Sequence, residues 1–212
     1  MVDDDGEVTR NRFVVWDKQD AGWGTEAVEV SLAADRFTAS GVAIGWDPVA
    51  YRLSYTLETG AGWISTRLVA ATRGEGWQRR LDLRRSATGT WTVTTELKGE
   101  VKMPQPGGDV SAFASALDCD LGRSPLTNSM PVLRHDLLRC DETLEFVMAW
   151  VSVPDLAVVA SAQRYSTVPR RAAEPRRIEY TSIQRDFVAE LTFDRDGLVI
   201  DYPHLAQRVE SA

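Results

Sequence analysis

The stretch that decides the fold is Tyr51–Glu58, YRLSYTLE. Tyr51, Leu53, Tyr55 and Leu57 alternate with Arg52, Ser54, Thr56 and Glu58. Successive side chains of a strand point to opposite faces, so a period of two marks a half-buried β-strand. The same rhythm extends in both directions. Val28, Val30 and Leu32 alternate with Glu29 and Ser31, and Trp77, Leu81 and Leu83 lie opposite Gln78, Arg80, Asp82 and Arg84. Trp91, Val93 and Leu97 repeat it, as do Phe187, Ala189, Leu191 and Phe193. Gly60–Gly62, Thr88-Gly89 and Asp196-Gly197 punctuate these runs, and the last predicts a hairpin between Phe193 and Leu198. Many short strands with regular turns predict a mainly β domain: a barrel, roll or sandwich.

Helical signals are few and short. Asp109–Leu117 is expected to make two turns capped by Asp109 or Ser111, and Pro203–Val209 to begin a C-terminal turn with Pro203 first. Pro104–Gly108 is too rich in breakers for a strand. Val168–Arg177 reads as a basic loop carrying Arg170, Arg171, Arg176 and Arg177, and such runs are usually solvated faces.

With 212 residues and 43% hydrophobic content, the chain is expected to form one domain over 1–212, with residues 1–10 flexible. The formal charge of -7 argues against a nucleic-acid partner, because phosphate neutralisation needs clustered cations. The N-terminus lacks the apolar run of a secretory signal. The longest apolar region, Leu144–Ala162, is broken by Glu145, Pro154 and Asp155, so no transmembrane segment is expected and the protein reads as cytoplasmic. Cys119 and Cys140 make no disulfide framework. Neither the cysteines nor His135 and His204 show metal-ligand spacing, and no glycine loop cradles phosphate, so no metal and no cofactor are expected.

The segment Asp118–Arg134, DCDLGRSPLTNSMPVLR, carries more turn formers, charges and prolines than a core strand needs. On a strand, Asp118 and Asp120 would place their Cα atoms roughly 6.5 to 7 Å apart, within the range of paired glycosidase carboxylates. The plainer reading is that one caps the Gly122–Leu126 turn and the other pairs with an arginine such as Arg134. A Ser-His-Asp set around His135 is possible by inventory, but no nucleophile elbow accompanies it. Of seven tryptophans, most read as core. Trp63 is the exception: with Ser65 and Arg67 it falls on one predicted strand face, suited to an amphipathic ligand. Gln163-Arg164-Tyr165 reads as the rim of a strand leaving the core, with Arg164 a partner for Asp118 or Asp120.

At these residues the chain resembles a family of mostly bacterial glycolipid-binding proteins, formerly a domain of unknown function. Its DxDLGxxPxTNxxPxxR block stands at Asp118, Asp120, Leu121, Thr127, Asn128, Pro131 and Arg134. Its Gln-Arg-Tyr stands at Gln163, Arg164 and Tyr165, and its FxAxLxxDxDGLVxxYP block runs from Phe187 to Pro203 and includes Tyr202. YRLxY and WxxTR match Tyr51–Tyr55 and Trp63–Arg67, and the likeness runs from about Phe13 to Val209. The Val101–Ala116 loop is longer than the family's, and Leu205-Ala206-Gln207 is less aromatic. The resemblance implies a single-domain antiparallel spiral β-roll that binds a glycolipid-like molecule. The expected ligand contacts are Trp63, Arg67, Asp118, Asp120, Asn128, Arg134, Arg164, Tyr165 and Tyr202. On this reading the ligand's apolar part enters the roll and rim groups hold its polar head. Two other readings stay open: a hydrolase acting on sugars or esters through Asp118/Asp120, and a structural or protein-interaction domain in which the Asp–Arg block closes the roll.

Overall fold

The structure is a computed structural model describing residues 9–19, 24–169 and 174–209. Fourteen strands form one unclosed sheet. They are β1 (Arg10–Lys18), β2 (Thr25–Leu32), β3 (Phe37–Gly45), β4 (Tyr51–Thr59), β5 (Ser65–Gly74), β6 (Trp77–Arg85), β7 (Trp91–Lys98), β8 (Cys119–Leu121), β9 (Thr143–Val151), β10 (Val158–Thr167), β11 (Arg176–Ser182), β12 (Phe187–Phe193), β13 (Val199–Tyr202) and β14 (Ala206–Arg208). The order across the sheet is β7-β6-β5-β4-β3-β2-β1-β14-β13-β12-β11-β10-β9-β8. Every neighbouring pair is antiparallel except β8 with β9, which run parallel. Among the described residues, one α-helix, α1 (Ser129–Arg134), and short 3-10 turns accompany the sheet.

The sheet coils because its two edges approach each other across the interior. The Asp109 side chain accepts from Ser111 N at 2.9 Å and caps a 3-10 turn over Val110–Phe113, which packs against β7, β9 and β10. Phe113 meets Trp91 edge-on, and Trp91 Nε1 and Arg85 Nε both donate to Ala116 O. Further along, Gly107 N donates to Leu156 O and accepts, through its carbonyl, from Val158 N. Its φ of 84° is a left-handed conformation natural to glycine. β8–β10 thus curl inside the concave face of β2–β7.

This coiling explains the long apolar run that the sequence shows around β9. Ala149 and Val151 pack in a first core with β1–β8, while Met148 packs in a second core with α1, β11, β12 and β13. A strand covered on both faces loses its polar alternation.

The sheet corrects several local expectations. Residues 206–208 form β14, paired to β1 and β13, where a C-terminal helical turn was expected. Arg176 and Arg177 lie on β11, where they contact Asp141 and Glu190, so they are not loop residues; Arg170 and Arg171 lie outside the described residues. Arg10 opens β1 and so belongs to the sheet. Leu97 is exposed because β7 runs past the core.

Candidate functional site

A cavity of about 570 Å³ opens where the β9–β10 turn, the segment after β8, and β11–β13 converge. Small-molecule sites commonly enclose about 300 to 1,000 Å³. Its buried lining mixes polar and aromatic groups, among them Asn128, Tyr180, Ser182 and Tyr202, with the apolar Leu121, Val153 and Pro154. Asp120, Trp150, Phe187 and Leu205 are half-buried, and Pro48 and Arg185 are exposed.

Each wall is fixed by interactions reaching far along the chain. Asp120 is central in β8; its carboxylate accepts from Thr127 Oγ1 at 2.7 Å and from Gln163 Nε2 at 2.6 Å. Burial raises its pKa against these hydrogen bonds and the nearby Arg185 charge. Tyr165 OH donates to Asn128 Oδ1 at 2.9 Å and so orients that amide beneath the cavity. Tyr180, Tyr202 and Phe187 pack ring against ring at 5.8 to 6.4 Å, and burial raises the pKa of both phenols, so they remain donors at neutral pH. The short turn Ile183–Arg185 is pinned to β10 through Ala162 N donating to Gln184 Oε1. It lays the Arg185 guanidinium 3.5 Å from the centroid of the Trp150 ring, a cation–π stack at the mouth.

Two buried cations hold the opposite walls. Lys18 Nζ donates to Glu26 Oε2 at 2.6 Å and also to Arg123 O. Glu26 Oε1 accepts from Tyr55 OH and Ser124 Oγ, each at 2.6 Å. Arg79, 2% exposed, donates to the carbonyls of Met103, Pro104 and Asp155, tying the long loop after β7 to the β9–β10 turn. These residues were missed from the sequence, although each follows a legible inward register: Lys18 after Val14 and Trp16, Glu26 before Val28, Arg79 between Trp77 and Leu81.

Of the residues expected from the sequence, Asp120, Asn128 and Tyr202 line this cavity. Asp118, 1% exposed, is held by Arg134 through two bonds of 2.9 and 2.5 Å. The two aspartates therefore serve different partners. Arg164 is exposed and pairs with Glu145, not with either aspartate. Gln163 and Tyr165 are buried inside the second core's strands, so the expected rim is interior. Arg67 lies on the outer face against Asp82. A bulge between Glu58 and Thr59 shifts the register of β5, so Trp63, Ser65 and Arg67 do not share a face. Trp63 lines a separate hollow of about 800 Å³ with Arg10, Leu133, Asp136, Phe193 and Ile200. Its neighbouring Asp194 and Asp196 are consumed by Arg12 and Arg208, which clamp the predicted β12–β13 hairpin to β1 and β14.

His135 leans on Phe146 at 5.2 Å, and its Nε2 accepts from Arg134 Nε at 3.4 Å. Burial and the Arg134 charge lower its pKa, and it does not line the cavity. Cys119 is buried, its thiol pKa pushed up to about 12, while Cys140 is exposed; both are free. Among the described residues no group of three or more His, Cys, Asp or Glu is placed to hold a metal ion. No helix among the described residues is long and apolar enough to cross a membrane.

Tyr180, Arg185 and Trp150 were not singled out from the sequence as ligand contacts. Tyr180 follows the Ile178–Tyr180–Ser182 alternation, but nothing local announces that Arg185 reaches Trp150, 35 positions away.

The fold is similar to the crystal structure of a DUF1089 family protein from Pseudomonas aeruginosa, 25% identical, with a TM-score of 0.66, over 92% of this chain and 95% of that one. No curated protein matches the chain. The model of the family described as "Putative glycolipid-binding" matches residues 13–208. Because that match covers nearly all of the chain, the protein belongs to this family.

Proposed function

We propose that this protein is a non-enzymatic, single-domain binder of an amphipathic molecule with a sugar-like head, held in the cavity of about 570 Å³ beside β8. The observation that carries the reading is the make-up of that cavity, whose lining brings the buried Asn128, Tyr180, Ser182 and Tyr202 together with the half-buried Asp120, Trp150 and Phe187. Hydroxyl-rich heads need such a mixture. Carboxylate, amide and phenol groups bond their hydroxyls, while an indole or phenyl face packs on their C–H face. The family description agrees with that chemistry.

The aspartate pair supports binding over hydrolysis. Paired carboxylate catalysis needs both acids free to reach one bond. Here Asp118 is committed to Arg134, and of the two acids that line the cavity, Asp120 and Asp155, the latter already accepts from Ser152 Oγ and Ala157 N.

Titration calorimetry with octyl β-glucoside, below its micelle concentration, tests the reading. Saturable binding is expected, and Asp120→Asn should weaken it at least tenfold. An unaltered isotherm in Asp120→Asn, or no binding of any alkyl glycoside by the wild type, would overturn it.

A further inference from the structure

The charges that line the cavity are unequally matched. Four charged residues line it: Asp120, Arg123, Asp155 and Arg185. Arg123 is held by Asp47, donating to its carbonyl at 2.6 Å and to its carboxylate at 2.8 Å. Asp155 accepts from Ser152 Oγ and Ala157 N, which fixes it within the β9–β10 turn. Arg185 rests on the Trp150 ring. Asp120 differs from all three. Its two oxygens accept from the neutral groups Thr127 Oγ1 and Gln163 Nε2, and no cation among the described residues forms an ion pair with it. The arginine two residues away in the fold's polar block, Arg134, is spent on Asp118.

A half-buried carboxylate is seldom left without a counter-ion. Buried charges are paired or bind a metal, and no group of metal-ligating side chains surrounds Asp120 among the described residues. Each oxygen has accepted one hydrogen bond, whereas an ionised carboxylate accepts at about four positions. Both oxygens therefore keep a lone pair for a donor that enters the cavity. Burial raises the pKa of Asp120, and a cation brought beside it would favour the ionised form that burial disfavours.

The aromatic lining suits the same kind of donor. A cation is attracted to the face of an aromatic ring, and the cavity already displays one such contact in Arg185 on Trp150. Tyr180, Phe187 and Tyr202 line the cavity as well, packed ring against ring, and no cation lies on them among the described residues. A carboxylate without a counter-ion beside a wall of rings is an arrangement that selects an ammonium over a hydroxyl, because a charge-assisted hydrogen bond is roughly twice as strong as a neutral one.

We propose that the head of the ligand carries a protonated amine, which pairs with the Asp120 carboxylate beside the rings of Tyr180, Phe187 and Tyr202. The proposal rests on the sugar-binding reading above and narrows its ligand class to an amino-sugar glycolipid. Leu121, Val153 and Pro154 give the apolar part a surface within the same cavity.

Calorimetry in near-neutral buffer tests this with octyl β-glucoside, its 2-amino-2-deoxy analogue and the 2-acetamido form of that analogue. The wild type should bind the amino glycoside at least tenfold tighter than octyl β-glucoside, and the uncharged acetamide no tighter than the glucoside. In Asp120→Asn the preference for the amine should shrink to within twofold. Raising the pH until the amine loses its proton should remove the preference in the wild type too, with no substitution to disturb the fold. Equal affinities for amine and glucoside in the wild type, or a preference that survives in folded Asp120→Asn, would overturn the proposal and leave the cavity reading standing. Tighter binding of octyl β-glucuronide than of octyl β-glucoside would also overturn it, since the head would then be an anion answering to Arg185. Absence of binding by every glycoside would defeat the cavity reading and this proposal together.

Discussion

Asp118 and Asp120 stand two residues apart in one short segment, and the fold gives them opposite tasks. Asp118 is enclosed and met by both arms of the Arg134 guanidinium. Asp120 is met by neutral donors, Thr127 and Gln163, and borders an open cavity. A carboxylate that already holds a bidentate cation has little capacity left for a ligand. One supported by neutral groups keeps unused lone pairs and a charge that burial disfavours. The difference separates a carboxylate committed to an ion pair within the fold from one left facing a cavity, and neither composition nor spacing distinguishes them.

The largest effect should come from the structural member of the pair. Arg134→Ala strands a buried carboxylate, and the unfolding free energy from urea titration should fall by about 3 to 5 kcal/mol. Replacing both partners, as Asp118→Leu with Arg134→Met, should cost clearly less than the single change, since no buried charge is left alone. A single and a double variant of equal stability would remove the structural assignment.

Asp120→Asn should show the reverse profile: a tenfold or greater loss of octyl β-glucoside affinity, about 1.4 kcal/mol, with the protein still folded. A third prediction uses pH. Burial raises the folded-state pKa of Asp120 above the unfolded value, near 3.9 for an ordinary aspartate. The neutral acid's contribution to stability is therefore complete below about pH 3.9 and is lost as pH rises through the raised folded value. Urea midpoints of wild type and Asp120→Asn, compared from pH 3 to 7, should show the wild type losing ground to the variant as pH rises. Parallel curves would contradict the raised pKa.

The smallest effect belongs to Arg164, which the sequence placed in the site. Its pair with Glu145 is exposed, so Arg164→Ala should change stability by about 0 to 1 kcal/mol and leave glucoside affinity unaltered. A clear loss of affinity would return Arg164 to the site and blur the division drawn between the two aspartates.

The fold was largely legible, because period-two alternation is written locally. Tyr51–Leu57, Val28–Leu32 and Ala189–Phe193 bury the residues their pattern demands. The Asp196-Gly197 hairpin and the Asp109 cap follow from turn chemistry alone. What failed depends on tertiary placement. The bulge at Glu58/Thr59 rephases Ser65 and Arg67. β14 forms because β1 and β13 offer it partners, overriding the helix-start signal at Pro203.

The site was only partly legible for a related reason. Asp120, Asn128 and Tyr202 belong to conspicuous polar blocks. Trp150, Tyr180 and Arg185 look like ordinary strand and turn residues until coiling brings them together. The buried Lys18–Glu26 pair and Arg79 were signalled by register, yet charged side chains on an inward face conflict with the usual sorting of residues.

The most direct test of the account is to map octyl β-glucoside binding by chemical-shift perturbation in isotope-labelled protein. The account expects the largest shifts at the Trp150 indole and at the amides of Gly122, Asn128, Ser182, Arg185 and Tyr202. Shifts centred instead on Trp63 and Arg10, or on the outer face at Arg67, would contradict it, as would a spectrum that does not change.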